Sequence, residues 1–124
     1  PLGDLPGAWN DGMRDLLGIA PPDDRLGCLQ DVHWPSGAFG YFPTYTLGAM
    51  AAAQLYGAAQ RDLPNLAEDI SAGQLSPLIG WLRTHVHGQG SFCSAEELLT
   101  AATGEPLNPQ VFLDHLRHRY LGDA

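Results

Sequence analysis

The chain has 124 residues, of which 44% are hydrophobic, and its fourteen acidic and six basic residues give a formal net charge of −8. A chain of this length buries roughly two thirds of its unfolded surface, so one compact domain or one piece of a larger one is expected. The negative charge disfavours nucleic acid and anionic membranes as partners. No apolar run approaches the roughly 20 residues that cross a bilayer, and the first residues lack a secretion-signal pattern. We therefore predict a cytoplasmic protein that binds neither nucleic acid nor membrane.

The first residue and the two cysteines give further expectations about context. The chain begins with Pro1 rather than methionine and enters a helical pattern at once, so we treat it as a fragment. Cys28 and Cys93 are far apart in sequence and belong to no CxxC or Cys/His ligand pattern. We expect both to be reduced structural thiols, as in a cytosolic protein.

A first helix is predicted near the start of the chain. Trp9, Met13, Leu16 and Leu17 are spaced as i, i+4, i+7 and i+8, which predicts a stripe that faces a core. Gly18 follows and is a natural residue for a left-handed helix end.

The segment from residue 27 to residue 42, rich in glycine and aromatic residues, is the one that helical periodicity does not explain. Gly37 and Gly40 permit backbone shapes that other residues resist, so we predict an irregular loop. Asp31, His33 and a nearby tyrosine would form a polar cluster suited to a site, since functional residues concentrate on loops held by rigid scaffolds. The alternative is that His33 is a structural histidine with satisfied hydrogen bonds and the aromatic residues belong to a core.

Two helices are predicted next. The alanine-rich stretch at 43–61 predicts a long helix whose small residues let neighbouring helices approach closely. A shorter helix is predicted at about 66–72.

Three more helices are predicted towards the end of the chain. The first of these helices is predicted to have Ser76 as its N-cap and Pro77 as its first helical residue, and to end at Gly88. Its core-facing residues are expected to be Leu78, Trp81, Leu82 and His85.

The last two helices carry start signals of their own. Ser94 with Glu97 forms a capping box, and Asn108 followed by Pro109 repeats the signal of a cap and then a proline. Both helices are expected to end at glycine. Because no strand pattern longer than a few residues occurs, the predicted fold class is all-α.

The irregular segment also carries a family resemblance. The residues "GCLQDVHW" fit the pattern Gly-x-x-Gln-Asp-x-His-Trp and are followed by "GYFPTYTLG", and both features resemble the metallocarboxypeptidases of the carboxypeptidase Taq family. The segments "LPGAWNDGMRDLLGI", "WLRTHVHGQG" and "LLTAATGEPLNPQVFLDHLRHRY" are similar to that family too. The chain therefore resembles roughly the last quarter of such an enzyme, as one helical C-terminal segment over residues 1–124.

This resemblance implies a function, a cofactor and partners. Enzymes of this family are all-helical, cytosolic and commonly homodimeric, and they remove C-terminal amino acids from peptides with a bound divalent metal, zinc or cobalt. The resemblance therefore implies a peptide substrate and a homodimer. The alternative, of a different class, is a non-catalytic helical binding or dimerisation module.

The chain departs from the family pattern at the metal site. The family holds its metal with an H-E-x-x-H helix and a more distant glutamate, and no H-E-x-x-H occurs here. His85 and His87 are two residues apart and point to different helix faces, while His115 and His118 lack an acidic third ligand. We therefore expect this chain alone to bind no metal and to be inactive.

The resemblance assigns candidate roles to the loop. Tyr41 would donate a hydrogen bond to the oxyanion of the tetrahedral intermediate, unless it is a core aromatic beside Phe39 and Phe42. His33 would bind substrate or a transition-state oxygen, with Asp31 fixing its tautomer and Gln30 adding an amide to the same network.

Two neighbouring residues complete these assignments. Trp34 is expected to be a packed wall of the site rather than a reactive group. Tyr45 could replace Tyr41 as substrate contact and oxyanion donor, and sequence alone does not separate the two tyrosines.

Overall fold

The structure, a computed structural model, describes residues 2–33 and 35–122 and is predominantly helical in both ranges. Within them there is no β-strand, which confirms the all-α class. The α-helices are α1 (Leu5–Leu17), α2 (Pro43–Asp62), α3 (Leu66–Ser71), α4 (Ser76–His85), α5 (Ala95–Thr103) and α6 (Pro109–Leu121). Short 3-10 helices cover Leu2–Asp4, Asp24–Leu26, Cys28–Gln30 and His87–Gln89. None of the described helices is long and apolar enough to cross a membrane.

The chain divides into two compact units, residues 1–42 and residues 43–124. The first unit contains α1, the 3-10 helices that follow it and the irregular segment. The second contains helices α2 to α6.

Helix α1 forms as predicted but does not bury the predicted stripe. It ends at Gly18, whose backbone is left-handed and whose N–H donates to the carbonyl of Arg14 at 3.0 Å. Trp9 and Met13 are half-buried, whereas Leu16 and Leu17 are 85% and 63% exposed. The prediction that all four residues face a core is therefore wrong for the two leucines, because helical spacing identifies an apolar face without supplying the surface that covers it.

The second unit is built around a small core. Ala58 and Ala59 of α2, Leu66 of α3 and Trp81 of α4 form one buried cluster. Ala59 and Leu66 are 0% and 1% exposed. The short alanine side chains let neighbouring helices pack closely on α2, chiefly α5 and α6, as the composition of 43–61 predicts.

Helix α4 is fixed to α2 by its tryptophan. Trp81 donates its indole N–H to the carboxylate of Asp62 at 2.7 Å, and its ring stacks on that of His85 with centroids 4.6 Å apart. The predicted helix start is one residue off, because Leu75 occupies the N-cap position and Ser76 is already helical. Gly88 does not end α4 directly, since it lies in the 3-10 turn His87–Gln89 that follows Val86.

The predicted caps of the last two helices are confirmed. Ser94 accepts a hydrogen bond from the backbone N–H of Glu97, whose carboxylate accepts in return from the backbone N–H of Ser94 at 2.8 Å. Asn108 caps α6 by accepting from the N–H of Gln110 at 3.0 Å. Helix α5 ends at a left-handed Gly104.

The capping box makes stability dependent on pH. The backbone N–H and then the hydroxyl of Ser94 hydrogen-bond the Glu97 carboxylate and lower its pKa below 4.5. A group whose pKa is lower in the folded state stabilises the fold above its unfolded pKa, and this contribution is lost as the pH falls through the lowered value. For Glu97→Gln we expect a free energy of unfolding that differs from wild type most at neutral pH and converges with it below pH 4.5. Urea unfolding at neutral and acidic pH measures this, and a pH-independent difference would contradict it.

A buried glutamine joins α2 to the connection between α5 and α6. Gln54 is 3% exposed, and its amide nitrogen lies 3.0 to 3.1 Å from the Thr103 hydroxyl and the carbonyls of Glu105 and Pro106. Its amide oxygen accepts from the backbone N–H of Asn108 at 2.9 Å. One side chain thus satisfies several backbone groups that would otherwise be buried without partners.

We expect Gln54→Leu to lower the free energy of unfolding by about 2 to 3 kcal/mol, because a buried polar group left unpaired costs about 1 to 3 kcal/mol. Gln60→Leu is the matched control, since Gln60 is exposed on the same helix. The control should change stability by less than about 0.5 kcal/mol. Urea unfolding followed by circular dichroism compares the two, and equal effects would show that the Gln54 hydrogen bonds contribute little.

Candidate functional site

The irregular segment begins where the backbone is tightly folded on itself. Gly27 adopts φ −115° and ψ −120° at the junction of two 3-10 helices. A Cβ atom there would lie 2.8 Å from Cγ of Pro21 and 3.2 Å from the carbonyl oxygen of Asp23, so only glycine fits. Cys28, the next residue, is buried at 5% exposure. The first glycine of the predicted motif therefore has a packing role.

Asp31 and His33 form the polar centre of the segment. Oδ1 of Asp31 accepts from the backbone N–H of His33 at 2.8 Å and lies 2.9 Å from His33 Nδ1. The Asp31 side chain is 1% exposed and that of His33 is 25% exposed. A carboxylate can only accept, so in the neutral ring this contact places the proton on Nδ1 and makes Nε2 the acceptor nitrogen.

The second carboxylate oxygen of Asp31 has unused hydrogen-bonding capacity. Across residues 2–33 and 35–122, Oδ2 of Asp31 is buried and accepts no hydrogen bond. A buried acceptor without a partner costs about 1 to 3 kcal/mol, and such atoms are rare in folded proteins. The Asp31–His33 pair is therefore a polar centre held inside the loop at some cost in stability.

Aromatic rings surround the imidazole. The Tyr41 ring stacks on His33 with centroids 5.5 Å apart, and Phe42 meets it edge-on at 4.6 Å. Tyr41 and Phe42 are 47% and 45% exposed, and Phe39 is 78% exposed. These aromatic residues are too exposed to form a core in the first unit, so the alternative interpretation of them as a core does not hold there.

The turn that brings Tyr41 back to His33 depends on residues that the sequence reasoning did not assign to the site. The carbonyl oxygen of His33 accepts from the Ser36 hydroxyl at 2.8 Å and from the Ala38 N–H at 2.9 Å. Gly37 and Gly40 have φ values of +79° and +71°, which confirms their predicted role. The Pro-Ser-Gly sequence at 35–37 is a turn signal that could have identified Ser36.

The remaining predicted site residues are placed differently. Gln30 is exposed, and its amide donates to the carbonyl of Arg25 at 2.6 Å. Tyr45 belongs to the second unit, where it lies in the first turn of α2 and is 58% exposed. The prediction for Trp34 falls on a residue outside the described ranges.

The histidines outside the loop lie in helix α4, in the 3-10 turn that follows it and in helix α6. His85 packs on Trp81 within α4, and His115 and His118 lie on α6. In the described part of the chain, no group of three or more histidine, cysteine, aspartate or glutamate side chains is arranged to hold a metal ion. These residues therefore do not fit the metal that the resemblance implies.

Cys28 and Cys93 are both free thiols.

Comparisons with known proteins match nearly the whole chain. The model of the carboxypeptidase Taq (M32) metallopeptidase family matches residues 1–120. Thermostable carboxypeptidase 1 of Pyrococcus furiosus is 42% identical over 118 residues, which cover 95% of this chain and 24% of that protein. Carboxypeptidase 1 of Bacillus subtilis is 44% identical over 117 residues, which cover 94% of this chain and 23% of that protein.

A solved structure is similar to this chain in backbone as well as in sequence. Metallocarboxypeptidase 1 of Trypanosoma cruzi superposes with a TM-score of 0.90 at 43% identity, covering 96% of this chain and 25% of that one. The chain thus spans about a quarter of the length of the relatives that it matches.

Proposed function

Because this chain belongs to the carboxypeptidase Taq (M32) metallopeptidase family, we propose that it is part of a metal-dependent carboxypeptidase that removes C-terminal amino acids from peptides. The names of its relatives and the match over residues 1–120 support the activity. The Asp31–His33 pair with its stacked tyrosine supports a role for this chain on the substrate and transition-state side of the active site.

His33 is proposed to contact the substrate or an oxygen of the transition state. Its bond to Asp31 fixes the ring orientation and keeps the Nδ1 proton in place. An imidazolium formed by protonation of Nε2 would donate to such an oxygen, and the carboxylate 2.9 Å from Nδ1 would compensate its charge. Asp31 is thus a positioning residue, while Gln30 supports the loop through Arg25 and is proposed to contribute to substrate binding.

Tyr41 is proposed to donate its hydroxyl to the oxyanion that develops when the peptide carbonyl is attacked. An uncharged phenol at a half-exposed position can donate without the cost of burying a charge. The stacking of its ring on His33 supports this assignment. Tyr45 remains the alternative donor, on the sequence reasoning given above.

The metal is assigned to polypeptide outside this chain. The relatives, of which the matched segment covers 23% to 24%, have ample further sequence to supply the ligands. We propose zinc or cobalt as this metal, and a cytoplasmic homodimer as the form of the whole enzyme.

The activity can be tested in a chimera. The 117 matched residues of the Bacillus subtilis enzyme are replaced by this chain, and release of the C-terminal amino acid from a blocked dipeptide is measured with and without a chelator. We expect release that the chelator abolishes. The same Bacillus subtilis polypeptide without any replacement segment is the control and should be inactive.

The outcome separates the two candidate functions. A chimera that folds, as judged by helix content and cooperative unfolding, yet releases no amino acid would contradict the carboxypeptidase proposal. That result would favour the helical binding or dimerisation module, for which the many exposed large apolar side chains are the supporting observation.

A further inference from the structure

The second unit contains an apolar groove that the proposed active-site role does not use. The groove has a volume of about 810 Å³ and lies between α2, α5 and the connection to α6. Leu47, Ala51, Leu98, Leu107 and Cys93 line it, and we call it the α2–α5 groove. Its volume falls within the roughly 300 to 1,000 Å³ of ordinary ligand pockets, so it can accommodate several apolar side chains.

The groove leaves apolar surface in contact with water. Leu47 is 49% exposed although it points into a groove lined mainly by other apolar residues. Removing such surface from water is favourable and stabilises a complex. Contiguous exposed apolar surface usually marks a place where another polypeptide or a ligand packs.

The comparisons indicate which polypeptide this is. The chain superposes on the Trypanosoma cruzi structure with a TM-score of 0.90 and covers 25% of that chain, which is therefore about four times as long as the matched segment. The counterparts of α2 and α5 in that relative therefore belong to a chain most of which lies outside the matched segment, and this further polypeptide is available to pack on them.

We propose that the α2–α5 groove is the docking surface for an apolar segment of the remaining carboxypeptidase polypeptide, the part that lies outside the matched quarter. This inference rests on the proposed function, because it takes the chain to work as part of a larger carboxypeptidase. It adds which face of the second unit makes the contact. The occupant is an apolar segment because the groove offers mainly aliphatic side chains.

A natural reporter lies in the groove. Cys93 is a free thiol that is partly exposed and lines the α2–α5 groove. Cys28, the other cysteine, is 5% exposed and lies in the first unit. The modification of each can be followed separately by mass spectrometry of the peptides that contain them. Protection of Cys93 therefore reports occupancy of the groove without any substitution.

The test co-produces this full chain with the part of Bacillus subtilis carboxypeptidase 1 outside its 117 matched residues, and purifies the complex. The rate at which a maleimide modifies Cys93 is then compared in the complex and in the chain alone. We expect a decrease of at least about tenfold in the complex, because a thiol covered by packed side chains reacts only when the interface opens.

A pair of variants on α2 tests whether the groove itself makes the contact. Leu47→Glu places a charge in the groove, while Ala52→Glu adds the same charge to an exposed position of the same helix that is not among the residues lining the groove. We expect Leu47→Glu to weaken the complex at least about tenfold and Ala52→Glu to leave it nearly unchanged. Both variants should keep the helix content and unfolding temperature of the wild type, since both positions are exposed.

Several results would overturn the proposal. These are failure of the two polypeptides to associate, modification of Cys93 at the same rate in the complex, and equal effects of the two variants. Protection of Cys93 in the chain alone that increases with its concentration would assign the groove to a second copy instead.

Failure of the docking and failure of the function are distinguishable. A complex in which Cys93 is protected but which lacks chelator-sensitive peptidase activity would support the docking surface and contradict the carboxypeptidase role. An active complex in which Cys93 reacts as fast as in the chain alone would support the carboxypeptidase role and contradict the docking surface.

Discussion

Purified on its own, this chain should release no C-terminal amino acid from a blocked dipeptide, whether or not zinc or cobalt is added. The physical reason is that His85, His87, His115 and His118 are not assembled with acidic residues into a metal-binding group in the described ranges. Without a bound metal to activate a water molecule, no sufficiently strong nucleophile is available to attack the peptide carbonyl at neutral pH. Since enzymes accelerate reactions by about 10⁶-fold or more, the expected loss relative to the chimera is at least of that order.

The measurement is a direct comparison at equal protein concentration. The isolated chain, the chimera and the truncated Bacillus subtilis polypeptide are incubated with the same substrate and metal, and the released amino acid is quantified. Chelator-sensitive release by the isolated chain would contradict the prediction. It would mean that a metal site forms from residues that the structure does not bring together.

The starts of α5 and α6 could be predicted from capping signals that are only a few residues long. Ser94 with Glu97, and Asn108 before Pro109, fix their helix starts through contacts three residues apart or fewer. Helix α4 begins at Ser76, one residue earlier than predicted, because helix ends fray and a cap signal locates a boundary only to within one or two residues.

Burial could be predicted less well, because it depends on distant parts of the chain. Leu16 and Leu17 have the spacing of core residues and are exposed, since no described part of the first unit covers them. Gln54 is buried in an alanine-rich helix by partners 49 to 54 residues away in sequence. No local pattern identifies such a residue.

In the candidate site, too, contacts between residues close in sequence could be predicted better than contacts between residues further apart. Asp31 and His33 are two residues apart, so an extended or turn-like backbone brings them together and the sequence predicts their contact. Tyr41 reaches His33 only through turns at Gly37 and Gly40, which the glycine positions suggest without fixing the geometry. The family motif supplied the choice of these residues, and their roles remain proposals.

The second large effect is expected from Tyr41→Phe in the chimera. If the hydroxyl donates to the oxyanion only as charge develops, its removal should lower kcat by about 10²-fold while KM changes little. Saturation kinetics on the blocked dipeptide, with variant and parent at matched metal occupancy, measures both parameters. The fold should be preserved, since loss of a hydroxyl from a side chain that is 47% exposed shifts stability by less than about 0.5 kcal/mol.

Tyr45→Phe is the matched control for this prediction. It removes the same atom from the same residue type, at a position in the first turn of α2 that is 58% exposed. Under the proposed assignment it should leave kcat within about twofold of the parent, because most exposed substitutions away from a reacting group change little. Parental turnover in Tyr41→Phe together with a large loss in Tyr45→Phe would transfer the oxyanion role to Tyr45. A raised KM with unchanged kcat in Tyr41→Phe would instead make this hydroxyl a contact to the bound substrate, equally strong before and during the reaction.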